Sequence, residues 1–152
     1  MNKRLLLAGL AFALSAGVAQ TALAQAKPDV LVKQRQAVMT LQGKYFGQLG
    51  AMAQGKIPYN ADTVAMNSAY LDALSRMPWD GFPASTKDIK SRALPAIWSE
   101  PAKFKEATEN FEKAVQALVK VSRGGDEAAQ KQAIGAVSKT CGGCHDNFRE
   151  KQ

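Results

Sequence analysis

Cys141-Gly142-Gly143-Cys144-His145 lies close to the carboxyl end of a chain of 152 residues, and its reading decides what every other segment must do. A Cys-x-x-Cys-His run is the attachment signature of a c-type haem: two thiols add across the porphyrin vinyl groups and the neighbouring imidazole binds the iron. On a helix, positions i, i+3 and i+4 share one face, so Cys141, Cys144 and His145 can reach one porphyrin from one side. Gly142 and Gly143 fall between them, where the missing Cβ is expected to let the backbone lie close to the ring. A redox dithiol would call for a strand-helix-strand setting, and no strand pattern lies near Cys141. A structural zinc site takes four ligands, whereas the chain has two cysteines and one histidine. Because His145 is that single histidine, two histidines of this chain cannot share one iron.

Working outward, the motif continues a helical stripe of Ile134, Val137, Cys141, Cys144 and Phe148, with Asp126 as its N-cap, so the cysteines are expected on a buried face. Three earlier stretches have the same periodicity. In residues 28–48, Leu31, Arg35, Val38, Gln42 and Phe46 recur at three-to-four spacing with Met39 beside them, and Pro28 suits a first turn. From about Ala61 to Met77, Val64, Ser68, Leu71 and Leu74 form a stripe behind an Asn60 cap, and Pro78 ends it. After Ser99 and Pro101, Phe104, Ala107, Phe111, Val115 and Leu118 follow, closed by Gly124-Gly125. The link from Pro78 to Trp98 is longer than a compact domain normally leaves irregular, and its Trp79, Phe82, Pro83 and Pro95 suggest packing against something, a haem edge among the candidates. The expected fold is all-α: an antiparallel up-down-up-down four-helix bundle holding a covalently bound haem c between facing helices.

Residues 1–24 read as a cleaved secretory signal peptide. Lys3 and Arg4 precede a mostly apolar run, and Ala22-Leu23-Ala24 supplies the small-x-small pattern before Gln25. No later run is long and apolar enough to span a bilayer, so no membrane span is expected in the mature form and the expected location is a periplasm. Residues 25–152 then form one bundle domain. The formal net charge of +7 falls to roughly +5 without Lys3 and Arg4. The lysines are scattered over helix faces rather than clustered, which argues against a nucleic-acid partner and leaves docking of acidic redox partners open.

A chain of this size with four helices, Cys-x-x-Cys-His about eight residues from its end, a basic tail and Arg35-Gln36 in the first helix resembles cytochrome c-prime, the class II c-type cytochromes. The resemblance spans the mature chain and includes Pro78-Trp79, Pro95-Ala96-Ile97-Trp98 and Cys141 to Arg149. Ordinary class I cytochromes carry the motif near the start, with a Met ligand far downstream. The resemblance implies one haem c, anchored through Cys141 and Cys144, with His145 as proximal iron ligand. It implies that Arg149 lies near the proximal face, that Arg35 and Gln36 contact the propionates, and that Arg92 and Ala93 contact the haem edge. Arg35 also interrupts an apolar stripe, and an inward arginine calls for an anionic partner such as a propionate, unless its head reaches solvent over a packed stem.

Met39 matches the distal position, across the haem from His145, and there the function divides. Unbound, it leaves a five-coordinate, high-spin iron for small gases. A crowded apolar distal pocket without a hydrogen-bond donor disfavours dioxygen and admits NO and CO. Bound, its thioether makes a six-coordinate, low-spin electron carrier; as plain core filler it does neither. The five-coordinate reading is preferred, because the resemblance tolerates an unbound Met and the remaining sequence looks like that branch. An enzyme of peroxidase type is not expected, since no distal His or acid/base pair is evident. Periplasmic redox partners are expected. The resemblance also implies a homodimer through the first two helices, for which Leu49, Met52, Met66 and Tyr70 are candidates, with core packing as the competing use of each.

Overall fold

The computed structural model describes residues 26–151, so the leader expected over residues 1–24 lies outside the described residues. Helix α1 spans Pro28–Ala53, α2 Ala61–Ser75, the single-turn α3 Ala96–Ser99, α4 Pro101–Ser122 and α5 Glu127–Phe148. The neighbouring pairs are α1 with α2, α2 with α4, α4 with α5 and α5 with α1, which closes the four long helices into the expected up-down-up-down bundle. No helix of the described residues is long and apolar enough to cross a membrane.

Local chemistry sets the ends. Proline opens α1 and α4, where its absent N–H costs nothing. The Asn60 side chain accepts from the Thr63 N–H at 2.7 Å, and Asp126 accepts from that of Ala129 at 3.0 Å. Helix α1 runs five residues past the expected end and stops at Gly55, whose φ of +69° suits a residue without Cβ. There the Lys56 and Gly55 N–H groups return to the Ala51 and Met52 carbonyls, taking up two orphan acceptors of the last turn.

That extension decides two residues. Leu49 and Met52 are buried with Val64, Leu71, Phe111, Val115, Leu118, Ile134 and Val137 in the core, so they are not the outward contact residues considered above. Met66 and Tyr70 on α2 do face outward. At this pole the buried Gln130 bonds the Tyr59 hydroxyl and donates to the carbonyls of Val121 and Ser122 at 3.1 and 3.3 Å and to that of Gly124, tying both loops together.

The connector from Pro78 to Trp98 is built rather than irregular. Two short 3₁₀ turns, Trp79–Gly81 and Ala84–Thr86, precede α3. Trp79 stands edge-on to Phe104 and Phe111 with ring centres 6.2 Å apart, and donates to Glu112 at 2.8 Å. The Trp98 indole donates to the Phe82 carbonyl at 3.0 Å. The far end of the connector joins the end of α5 through an antiparallel bridge between Ala93 and Arg149, flanked by Leu94 N–H to the Phe148 carbonyl at 3.0 Å and Glu150 N–H to the Arg92 carbonyl at 2.9 Å.

Candidate functional site

The carboxyl half of α5 presents Cys141, Cys144 and His145 toward α1, as their spacing requires. Both cysteines are half-buried, and Cys141 packs against the core. Gly142 and Gly143 lie instead on the exposed side of α5, where an added Cβ would meet nothing. Their proposed closeness to the ring therefore finds no support in the geometry; neither lines the cavities that Cys144 and His145 share.

Those cavities measure about 460 and 220 Å³, and both are bounded by Met39, Cys144, His145 and Arg149. The larger adds Arg35, Gln36, Phe82, Arg92 and Ala93, so every residue expected at the haem edge borders one space. The smaller adds Cys141 and an α1 wall of Gln42, Gly43 and Phe46, with Leu71, Trp79 and Phe111 behind. Trp79 and Phe82 of the connector thus do border the site, Trp79 through the smaller cavity and Phe82 through the larger.

Burial governs the electrostatics. It pushes the Cys141 thiol up to about 11, helped by the neighbouring Cys144, and raises Cys144 against the pull of Arg149. Burial lowers the His145 imidazole, as do the cations Arg149 and Arg92, while Asp146 opposes them. A neutral imidazole keeps a lone pair available to a metal.

Three arginines and no carboxylate line the larger cavity, between thiol and imidazole on one wall and Met39, Phe82 and Ile97 on others. This combination fits the haem implied by the motif: a flat apolar body, acidic tails, thiols for its vinyl groups and one nitrogen for its iron. Two expectations need revision. Arg35 does not snorkel, since it is buried; neutral oxygens of Gly81, Thr86 and Ser91 hold it while it still borders the larger cavity. The pocket is also not purely apolar, because Gln42, 7% exposed, lines the smaller cavity while donating to the Leu74 carbonyl at 2.8 Å.

Gly81, Thr86 and Ser91 escaped the sequence reading because nothing local marks them; only the fold brings the connector onto α1. Gln42 left a signal, being the second polar residue in the α1 stripe after Arg35. Arg149 is exposed at the mouth of both cavities, and Arg92 donates to the Glu150 carbonyl.

Residues 30–149 match the sequence profile of the family described as Cytochrome C'. A cytochrome c' of Rubrivivax gelatinosus is 41% identical over 126 residues, covering 82% of this chain and 98% of the relative. Among solved structures, cytochrome c prime from Shewanella frigidimarina superposes with a TM-score of 0.80 at 32% identity, covering 83% of this chain and 98% of that one. A nitric oxide complex of a variant cytochrome c prime from Alcaligenes xylosoxidans gives 0.77 at 35%, covering 84% and 98%.

Proposed function

Because the chain belongs to the cytochrome c' family and carries one covalent haem c, we propose that it is a periplasmic protein that binds nitric oxide and carbon monoxide at a five-coordinate, high-spin iron and can also transfer electrons. Cys141 and Cys144 hold the porphyrin through thioether bonds. His145 takes the proximal position on the iron, as the only imidazole of the chain. Arg35, Gln36, Arg92 and Ala93 serve the haem edge, and Arg149 the proximal side. Bound, the haem supplies an iron that changes oxidation state and has a coordination position to offer.

The observation that carries the reading is the wall facing Cys141, Cys144 and His145 across the smaller cavity, where Met39, Phe46, Leu71, Trp79 and Phe111 stand with Gln42 as the one amide. Its mostly apolar side chains suit a small neutral guest at the iron and offer few groups to hold water or an ion. The nitric oxide complex of the Alcaligenes protein supports the same ligand here. Ligand binding rather than turnover is favoured, since neither cavity is lined by a carboxylate or a second histidine that could serve as acid or base. The secretory pattern of residues 1–24 supports export.

A second reading rests on Met39, whose side chain borders both cavities together with His145. As a sixth ligand its sulfur would make the protein a low-spin electron carrier. The optical spectrum of the reduced holoprotein with and without carbon monoxide tests the pair. A broad high-spin spectrum that shifts with the gas, and keeps its spin state in Met39→Ala, is expected. A sharp low-spin spectrum indifferent to the gas and lost in Met39→Ala would establish the carrier instead.

We also propose a homodimer through α1 and α2, supported by the outward-facing Met66 and Tyr70, 50% and 45% exposed. Sedimentation at micromolar concentration should give twice the chain mass, and Tyr70→Lys should lower it.

A further inference from the structure

Arg35 is the one charged side chain among the buried described residues, and no carboxylate pairs with it there. Burying a cation is costly, and burial lowers its pKa. Three neutral acceptors offset that cost: Nη1 donates to the Gly81 carbonyl at 2.6 Å and to Thr86 Oγ1 at 3.0 Å, and Nη2 donates to Ser91 Oγ at 3.1 Å. The guanidinium carbon also lies 4.2 Å from the centre of the Phe82 ring. All four partners belong to the connector, spread over eleven positions, and a rigid planar fork reaches them where an ammonium group cannot. The approach is close enough that a Cβ on Gly81 would stand 2.8 Å from that of Arg35.

The connector held in this way forms a wall of the larger cavity through Phe82, Ser91, Arg92 and Ala93. Its other end is fastened to α5 by the Ala93–Arg149 bridge, four residues beyond His145. We infer that Arg35 is a positioning residue, which with Thr86 and Ser91 clasps the connector onto α1 and so sets how far the haem edge is open to water. The consequence for the haem rests on the proposed site; the clasp itself does not.

Thr86 separates this role from direct contact with the cofactor. It is fully buried and lines neither cavity, yet it accepts from Arg35 while donating to the Pro83 carbonyl at 2.8 Å. The test uses the holoprotein with Thr86→Val, Arg35→Lys and the double variant, all of unchanged charge. Trypsin reads opening of the connector at Lys87 and Lys90, which are exposed between the clasped residues. Each single variant should be cut roughly ten to a hundred times faster than the parent, the loss expected for a hydrogen bond to a charged group. The double variant should be cut about as fast as the faster single, because both remove one device. The reduction potential should fall in both singles as water reaches the haem edge. Parental cleavage in Arg35→Lys, multiplying effects in the double variant, or an unmoved potential beside fast cleavage would each overturn the role. Should Thr86→Val fail to fold, Thr86→Ala takes its place with the same expectations. A parent protein without the haem c spectrum would refute the proposed site while leaving the cleavage result to judge the clasp.

Discussion

Substituting Gly81 by alanine isolates the close contact between connector and α1. Its φ is not in the left-handed region, Gly55 being the described glycine that is, so the backbone accepts alanine and the unfolded chain loses entropy worth about 0.4–1 kcal/mol in favour of folding. Against this, the new Cβ would meet the Arg35 Cβ at 2.8 Å and the Leu31 carbonyl oxygen at 3.2 Å. Both are fixed to the α1 backbone and cannot swing away, so the connector must move. Overpacking of this kind costs about 1–3 kcal/mol, and the movement also weakens the 2.6 Å bond from Arg35 to the Gly81 carbonyl. The net expectation is a loss of about 1–3 kcal/mol, or roughly 3–5 °C in Tm per kcal/mol for a chain of this size. Gly135 is the internal control, since it sits inside α5 with nothing within 4 Å of an added Cβ. Gly135→Ala should stabilise by about 0.5–1 kcal/mol through helix propensity. Thermal unfolding of both holoproteins, followed by far-ultraviolet circular dichroism, checks the pair. A Gly81→Ala protein as stable as Gly135→Ala would show that the connector is not pressed against α1.

Replacing Gln130 by Leu should cost about 2–3 kcal/mol in urea unfolding, because the Tyr59 hydroxyl and the carbonyls at the end of α4 lose a common partner. Asp126→Ala should cost about 1 kcal/mol by the same assay, through loss of the α5 cap to Ala129. Cys141→Ser with Cys144→Ser should leave haem that acidified organic solvent extracts, whereas the parent keeps it on the polypeptide.

The bundle was legible because its stripes repeat at the helical period over long windows, and tertiary packing preserved them: Val64, Leu71, Phe111, Val115, Leu118, Ile134 and Val137 all lie in the core. The end of α1 was misplaced because Gly50 reads as a breaker, while Leu49 and Met52 on either side of it gain enough burial to carry the helix to Gly55. The site was legible where chemistry is written locally, in Cys141 to His145, and where the resemblance assigned positions that the fold then gathered around one cavity. The partners of Arg35 were not, since a pairing across 46 to 56 residues leaves no periodic trace. Charge suggested an anion for Arg35; the neutral oxygens that also hold it appear only once the connector is seen lying on α1.

Gln42 carries a last consequence, because its two surroundings make different demands. Its amide nitrogen donates to the Leu74 carbonyl, but that oxygen also accepts from the N–H groups of Arg76 and Met77 at the end of α2. Removing the amide therefore orphans no acceptor, and Gln42→Leu should change stability by no more than about 1 kcal/mol, the net worth of one neutral hydrogen bond. On the cavity side the effect is larger relative to what is present, since Gln42 is the polar side chain that α1 places beside Met39 and Phe46 in the wall of the smaller cavity. Leucine there removes one hydrogen-bonding group from the α1 wall and leaves a water less reason to occupy the space beside it. Titration of the reduced holoprotein should show carbon monoxide binding several-fold more tightly in Gln42→Leu, about the factor of five that 1 kcal/mol represents. Gln42→Glu should act oppositely, because a carboxylate attracts water and loses the donor to Leu74. Equal gas affinity in parent and Gln42→Leu, with unchanged stability, would mean that Gln42 serves the α1–α2 contact alone and that the chamber behaves as an apolar one despite its amide.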